Sequence, residues 1–328
     1  MRRTGLMPDT APAGTTRPSA SPGRRHPPSS PSATRNGPTM PERLLLTGAS
    51  GFVGRAMLEP LAARGFEVHA VARQRGEGGA TWHAADLLDA GAMRALLRDI
   101  RPSVLVHAAW YVAHGAFWTA PENAAWVEAS TALGEAFAGR RMIGLGSCAE
   151  YDWAGEGVTP WPETRRIAPA TPYGKAKAEL CRHWMGLGQR RGIAVAWARL
   201  FHLFGPGEHP DRLVPAVLCA LRAGRVAATG SGRPIRDFAC TGFLGRALAA
   251  LAASDVVGPV NVASGQPVTI RAVVEAIGRI TGRADLLRLG ALPDRAEPPF
   301  IVADTTRLLH EVGFTERADL ESDLAGLS

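Results

Sequence analysis

Lysine is nearly missing from this chain. Of its 328 residues, 37 are Lys or Arg, yet only Lys175 and Lys177 are lysines. Tyrosine is almost as scarce, with three: Tyr111, Tyr151 and Tyr173. The four cysteines, Cys148, Cys181, Cys219 and Cys240, share no metal-ligand spacing, so neither a metal site nor a disulfide framework is expected. Scattered thiols suit a reducing, cytoplasmic setting. No run of 18 apolar residues is present, which argues against a transmembrane helix. The N-terminus lacks an apolar core of the kind a secretory signal needs.

The formal net charge of +7 is unevenly placed. Residues 1–39 hold Arg2, Arg3, Arg17, Arg24, Arg25 and Arg35 against Asp9, a net of +5, which leaves +2 for the rest. No basic stripe on the remainder suggests a nucleic-acid partner. Residues 1–39 are rich in Pro, Ser, Thr, Arg and Gly. They carry too little apolar surface to offset chain entropy, so a disordered extension is expected there. Met40 stands just before the first expected strand, where a start of translation for the folded part would lie.

Against this background, one lysine falls four residues after one tyrosine. A Tyr-x-x-x-Lys pair by accident has odds of roughly 3 × 2/328, about 2%. An ammonium beside a phenol favours the phenolate. It is also a compact donor that a guanidinium cannot replace. Tyr173 and Lys177 are therefore candidate catalytic residues.

From Met40 onward, short apolar runs alternate with amphipathic stretches. Strands are expected at Arg43–Thr47, Glu67–Ala72, Val104–His107, Met142–Leu145 and Ile193–Arg199. Helices are expected at Ala56–Arg64, Ala90–Asp99 and Pro172–Gln189, the last with proline at its head. Such alternation predicts an α/β, doubly wound parallel sheet. Residues 40–200 would form this nucleotide-binding domain, with a returning segment near 239–265. Residues 201–328 would mainly form a smaller C-terminal substrate-binding lobe.

The segment Thr47-Gly-Ala-Ser-Gly-Phe-Val-Gly54 follows the first strand and opens the first helix. Gly48 suits a tight turn, Gly51 a close approach to a diphosphate, and Gly54 close helix packing. Ser50, Phe52 and Val53 complete a cradle at a helix N-terminus. An acid at the end of the second strand would hold the adenosine ribose, but this strand ends in Val71-Ala72-Arg73, with Arg75 close behind. A guanidinium there favours NADP(H), with NAD as the other possibility. Asp86 and Leu87 lie where an adenine could be contacted, and Ala108 and Ala109 follow the VLVH strand.

Together TGASGFVG, DL, HAA, GSCAEY, YGKAK, RLFHLFGPGE, RDF and GPVNVASG resemble the extended short-chain dehydrogenase/reductase family, the NAD(P)-dependent nucleotide-sugar epimerases, dehydratases and reductases. The resemblance runs from Met40 to near the C-terminus. It implies a seven-stranded Rossmann sheet, a nucleotide-sugar substrate and a catalytic set of Ser147, Tyr173 and Lys177. It also implies a homodimer, which Leu180, Trp184 and Leu187 at helical spacing permit. In such a site Tyr173 gives a proton to a forming alkoxide, while Ser147 donates to the same oxygen. Lys177 holds the nicotinamide ribose and lowers the Tyr173 pKa. Bringing a phenol from ~10 to ~7 takes about 4 kcal/mol, roughly what one ammonium at about 4 Å supplies.

Family 4,6-dehydratases place an Asp-Glu pair directly after the catalytic hydroxyl. Here those places hold Cys148-Ala149, and Glu150 is offset by one. The resemblance therefore implies reduction of a C4 ketone on a nucleotide-activated 4-keto-6-deoxyhexose, dTDP-linked, in deoxysugar biosynthesis. The rival readings are an NAD-retaining 4-epimerase and a non-catalytic NADP-binding sensor or scaffold. Candidate substrate residues are Ser147, Arg212, Arg236 and Arg295, with His202 where the family often has Asn. Trp110 is a candidate for a sugar-stacking wall, with Tyr111, His114 and Trp118 beside it.

Overall fold

Leu44–Leu46 and Val104–Val106 are apolar at every position, so a strand made from either must be covered on both faces. The computed structural model describes residues 41–74, 76, 78–154 and 157–327 and shows each of these six side chains fully buried. The expectations placed on residues 1–39, Met40 and Arg75 lie outside the described residues.

The chain runs β1 (Glu42–Thr47), α1 (Gly54–Ala63), β2 (Phe66–Ala72), β3 (Thr81–Ala84), α2 (Ala90–Ile100), β4 (Val104–His107), α3 (Glu122–Ala136), β5 (Arg141–Ser147), α4 (Pro172–Arg191) and β6 (Ala194–Leu200). It continues with β7 (His202–Phe204), α5 (Leu213–Arg222), β8 (Ala227–Ala228), β9 (Ile235–Cys240), α6 (Thr241–Ala253) and β10 (Gly258–Val262). The last elements are β11 (Pro267–Thr269), α7 (Ile270–Thr281), β12 (Leu287–Arg288), β13 (Phe300–Ile301), α8 (Thr306–His310) and α9 (Leu320–Ala325). Strands β10-β6-β5-β4-β1-β2-β3 form a seven-stranded sheet, every pair parallel. The order reverses between β4 and β1, and the carboxyl ends of the strands there border a crevice that suits a dinucleotide.

Each face of the sheet has its own core. On one side α1 and α6 bring Met57, Leu61, Leu244 and Leu248 against Leu44, Leu46, Val104 and Val106. On the other, α2, α3 and α4 bring Met93, Leu133, Leu180 and Trp184 against Leu45, Leu105 and Trp197. A second group of strands, β11-β9-β13 with β7 on β9, packs with α5, α7 and α9 around Phe204, Val217, Val273 and Ile277. It belongs to the same compact unit, Pro41–Ser328.

The long helix α4 starts where Thr171 accepts from Gly174 N and Pro172 takes a first position that needs no donor. It stops at Gly192, φ +68°, a left-handed residue suited to glycine. Arg141, fully buried on β5, closes α6. Its Nη2 donates to Leu251 O at 2.8 Å and Val256 O at 2.9 Å, and its Nε to Ala252 O at 3.2 Å. Leu251 and Ala252 lie in the last turn of α6, where carbonyls run short of intrahelical donors, and Val256 lies in the segment that follows.

Candidate active site

The turn after β1 is shaped by two close approaches. Gly48 sits at φ +69°, and a Cβ there would lie 2.6 Å from Ala109 N. A Cβ on Gly54 would lie 2.1 Å from Gly48 O. Gly51 donates its N–H to Gly48 O at 2.9 Å, which closes the turn, and Ser50 and Gly51 are exposed. Phe52 and Val53 lead into α1, whose first turn has neither a capping side chain nor an acid. Its N–H groups and the positive end of its dipole suit a diphosphate, so this cradle fits a dinucleotide. His107 pins the turn to β4: Nδ1 lies 2.7 Å from Thr47 Oγ1 and Nε2 2.8 Å from Ser130 Oγ. Burial, with Lys177 nearby, pushes this imidazole down to about 3, so it is neutral at ordinary pH.

Arg73 is exposed one residue beyond β2. Asp86 is exposed and accepts from Leu88 N at 3.0 Å, while the Leu87 side chain is drawn into the core. Ala108 and Ala109 close the floor beside Gly48, with Ala108 N donating to Thr47 O.

Ser147 ends β5, and its hydroxyl lies beside the Tyr173 phenol, close enough to favour the phenolate. Tyr173 stands in the first turn of α4 within an aromatic collar. Phe117 meets its ring edge-on at 4.9 Å, and Trp118 at 5.7 Å. Trp153 stacks edge-on against Trp118 at 6.3 Å. Tyr173 N also donates to Trp118 O at 3.1 Å. One turn on, Lys177 is only 4% exposed. Its Nζ donates to Leu145 O at 2.9 Å and lies 3.8 Å from the centre of the Trp110 ring.

Two expectations are corrected here. The Tyr173 phenol was expected to be lowered by Lys177. Instead burial raises it, opposed by the Ser147 hydroxyl, because desolvation outweighs the nearby donors. Burial likewise pushes the Lys177 ammonium down to about 7, with Glu150 opposing. Trp110 was expected in a sugar-stacking wall. It is 9% exposed in the core beside the sheet, its Nε1 donating to Asn123 Oδ1 at 2.9 Å, because its ring serves Lys177. The wall beside Tyr173 is built from Phe117, Trp118 and Trp153.

Glu150 is fully buried and fully engaged. Its Oε1 accepts from Ser147 N at 2.8 Å and Trp197 Nε1 at 2.9 Å, and its Oε2 from Arg199 Nε at 2.9 Å. Arg199 passes the network to Tyr151 OH at 3.2 Å, and that hydroxyl donates to Asn261 Oδ1 on β10 at 2.6 Å. Glu150, three residues after Ser147, therefore holds the Ser147 loop. It is not available to exchange protons with a substrate.

The substrate candidates divide. His202, Arg212 and Arg236 converge: burial pushes His202 down to about 3, helped by both guanidinium groups. Its Nδ1 is buried without a partner among the described residues. Arg212 opens α5, and its Nε is bonded to Glu208 Oε1 at 2.9 Å. Burial pushes that carboxyl up to about 7. Arg236 is buried and pairs with Glu297 Oε2 at 3.0 Å. Arg295 is 81% exposed and reaches the other oxygen of the same carboxylate, Glu297 Oε1, at 4.0 Å. Sequence reasoning missed Phe117, Asn123 and Glu297, which no local motif marks, and gave no role to Glu208, which closes the RLFHLFGPGE segment.

One group among the described residues gathers metal-ligating atoms, His114, His209 and Asp211, within 4.8 Å of one another. The two imidazoles are stacked 4.4 Å apart and 11° from parallel. Imidazole lone pairs lie in the ring plane, so both rings cannot reach one ion until one of them turns.

The profile of the NAD dependent epimerase/dehydratase family matches residues 44–263. A dTDP-6-deoxy-L-talose 4-dehydrogenase (NAD(P)(+)) of Kitasatospora kifunensis is 30% identical over 304 residues, 86% of this chain and 93% of the relative. A dTDP-4-dehydrorhamnose reductase of Streptomyces griseus is 30% identical over 176 residues, 50% of this chain and 52% of its own. The crystal structure of UDP-glucose 4-epimerase with UDP-glucose from Thermotoga maritima shares the fold. Its TM-score is 0.75 at 20% identity, covering 86% of this chain and 96% of that one. The chain belongs to the NAD dependent epimerase/dehydratase family and is an NAD(P)-dependent oxidoreductase of the extended short-chain dehydrogenase/reductase type.

Proposed function

We propose that this enzyme, a nucleotide-sugar-modifying member of its family, reduces the C4 ketone of a dTDP-linked 4-keto-6-deoxyhexose with NADPH. The observation that carries this reading is the fate of the acids beside Ser147. The two positions after the serine hold Cys148 and Ala149, and Glu150 is locked to Ser147 N, Trp197 and Arg199. Elimination of water needs an acid and a base beside the sugar, and this edge of the site offers neither. Simple reduction needs only one proton at the carbonyl oxygen. The names of both relatives point to C4 of dTDP-linked sugars.

The reduced nicotinamide, when bound, supplies the hydride. The chain's own residues do the rest. Tyr173 gives its proton to the alkoxide oxygen as charge develops there, and its raised pKa keeps that proton in place beforehand. Ser147, beside the phenol, donates to the same oxygen. Lys177 presents an ammonium from beneath, to hold the cofactor ribose and offset the charge left on Tyr173. Phe117, Trp118 and Trp153 shield the phenol from water. Arg212 and Arg236 supply positive charge for the sugar-nucleotide diphosphate, with His202 neutral between them. Exposed Arg73 at the end of β2 supports NADP(H) over NAD.

The test is NADPH consumption by the purified chain given a dTDP-4-keto-6-deoxyhexose, beside Tyr173→Phe. Turnover in the wild type that is lost in the variant supports the reading. No turnover, with NAD still bound after purification, would replace it with the 4-epimerase reading. Cofactor binding without turnover of any nucleotide sugar would replace it with the sensor reading.

A further inference from the structure

Lys177 is held in a way its motif does not explain. A buried ammonium needs donors satisfied and charge offset. Here one proton goes to Leu145 O at 2.9 Å, and no carboxylate forms an ion pair with it among the described residues. The charged or titratable groups acting on it are Glu150, on the turn after β5, and His107, on β4 and held neutral. Tyr173 lies one turn back on the same helix. What the ammonium rests on is the indole face of Trp110, 3.8 Å away. An indole presents the most electron-rich aromatic face a protein has for a cation.

That indole is itself fixed. Its Nε1 donates to Asn123 Oδ1 at 2.9 Å, and Asn123, 3% exposed, is the residue that orders the next segment. Asn123 Nδ2 donates to Phe117 O at 2.8 Å and to Ala120 O at 2.9 Å. The segment so held carries Phe117 and Trp118, the two rings against Tyr173, and Trp118 O accepts from Tyr173 N. One buried amide thus joins the support of the ammonium to the collar of the phenol.

We propose that Trp110 and Asn123 are positioning residues: the indole keeps the Lys177 side chain charged and in place, and Asn123 sets that indole and the Tyr173 collar in one frame. Neither touches the reacting atoms. The catalytic part of this inference rests on the reductase reading, but the state of Lys177 can be measured without any substrate.

Because the chain has only two lysines, carbon-13 labelling of lysine gives two side-chain signals. Lys175→Arg assigns them, and exposed Lys175 serves as the internal reference. In a pH titration by NMR, Lys177 should lose its proton near 7 in the wild type. Removing the aromatic face favours the neutral amine, so Trp110→Leu should move the midpoint down by about one pH unit, a tenfold change. Trp110→Phe, which keeps a weaker face and disturbs packing less, should move it down by less than that. The alkaline limb of the reduction profile should move down by the same interval, with KM for the sugar little changed. A Lys177 midpoint that stays put or rises in the folded Trp110 variants overturns the proposal. Lack of turnover in the wild type would overturn the reductase reading alone, since the titration still decides the role of Trp110.

Discussion

Lys177→Met should make the protein more stable and inactive, and the gain should depend on pH. The ordinary value of a lysine is 10.5, and burial brings Lys177 to about 7. That difference corresponds to about 5 kcal/mol spent on keeping the charge inside. Methionine fills similar space without charge but leaves Leu145 O without its donor, a loss of about 1–2 kcal/mol. Part of the indole contact is lost as well, about 1 kcal/mol. The net gain is about 2 kcal/mol at pH 6, or about 4 °C in melting temperature. Between about pH 7 and 10.5 the unfolded chain binds the Lys177 proton and the folded chain does not, so wild-type stability rises with pH. The advantage of the variant should therefore shrink to near zero by about pH 9. Chemical denaturation of both proteins at three pH values checks this. A variant less stable than wild type at pH 6, or a difference independent of pH, would refute the reasoning.

Other substitutions follow from the same geometry. Gly54→Ala puts a Cβ 2.1 Å from Gly48 O, and it should cost about 2–4 kcal/mol and abolish dinucleotide binding, as followed by melting with and without NADPH. Arg73→Ser should raise KM for NADPH roughly ten- to a hundredfold and spare NADH in steady-state assays, the loss expected for a charge-assisted contact to a phosphate. Glu150→Gln leaves the Arg199 guanidinium buried without its counter-charge and should cost about 3–5 kcal/mol in urea unfolding. Arg141→Leu removes a donor from Leu251 O and Ala252 O in the last turn of α6 and from Val256 O beyond it, and a destabilisation of about 2–3 kcal/mol is expected in urea unfolding.

Much of the nucleotide-binding half is legible because its information is local. Continuous apolar runs mark β1, β4 and β6, and the glycine turn and the Tyr-x-x-x-Lys spacing are read within a few residues. Strand β3, TWHA, is missed because it is a short edge strand of mixed polarity. Helix α3 is missed because ENAAWVEASTALGEA is filled with small residues and shows no apolar stripe. The site shows the same division. Ser147, Tyr173 and Lys177 stand in motifs, and the structure brings the Tyr173 hydroxyl to Ser147. The links that hold them in place are distant in sequence: Lys177 to Trp110, Glu150 to Arg199 and Arg199 to Tyr151 and Asn261. Such pairings arise from topology, and a single sequence does not display them. Trp110 illustrates the cost, since an aromatic after the HAA segment suggests a sugar wall until its neighbours are known.

The most direct measurement follows the transferred hydrogen. The enzyme would be given a dTDP-4-keto-6-deoxyhexose and NADPH with both hydrogens at nicotinamide C4 replaced by deuterium, and the product examined by NMR. Reduction predicts one deuterium at C4 of the sugar for each NADPH oxidised, and none with Tyr173→Phe. NADPH left intact, with no label in the sugar, would contradict it.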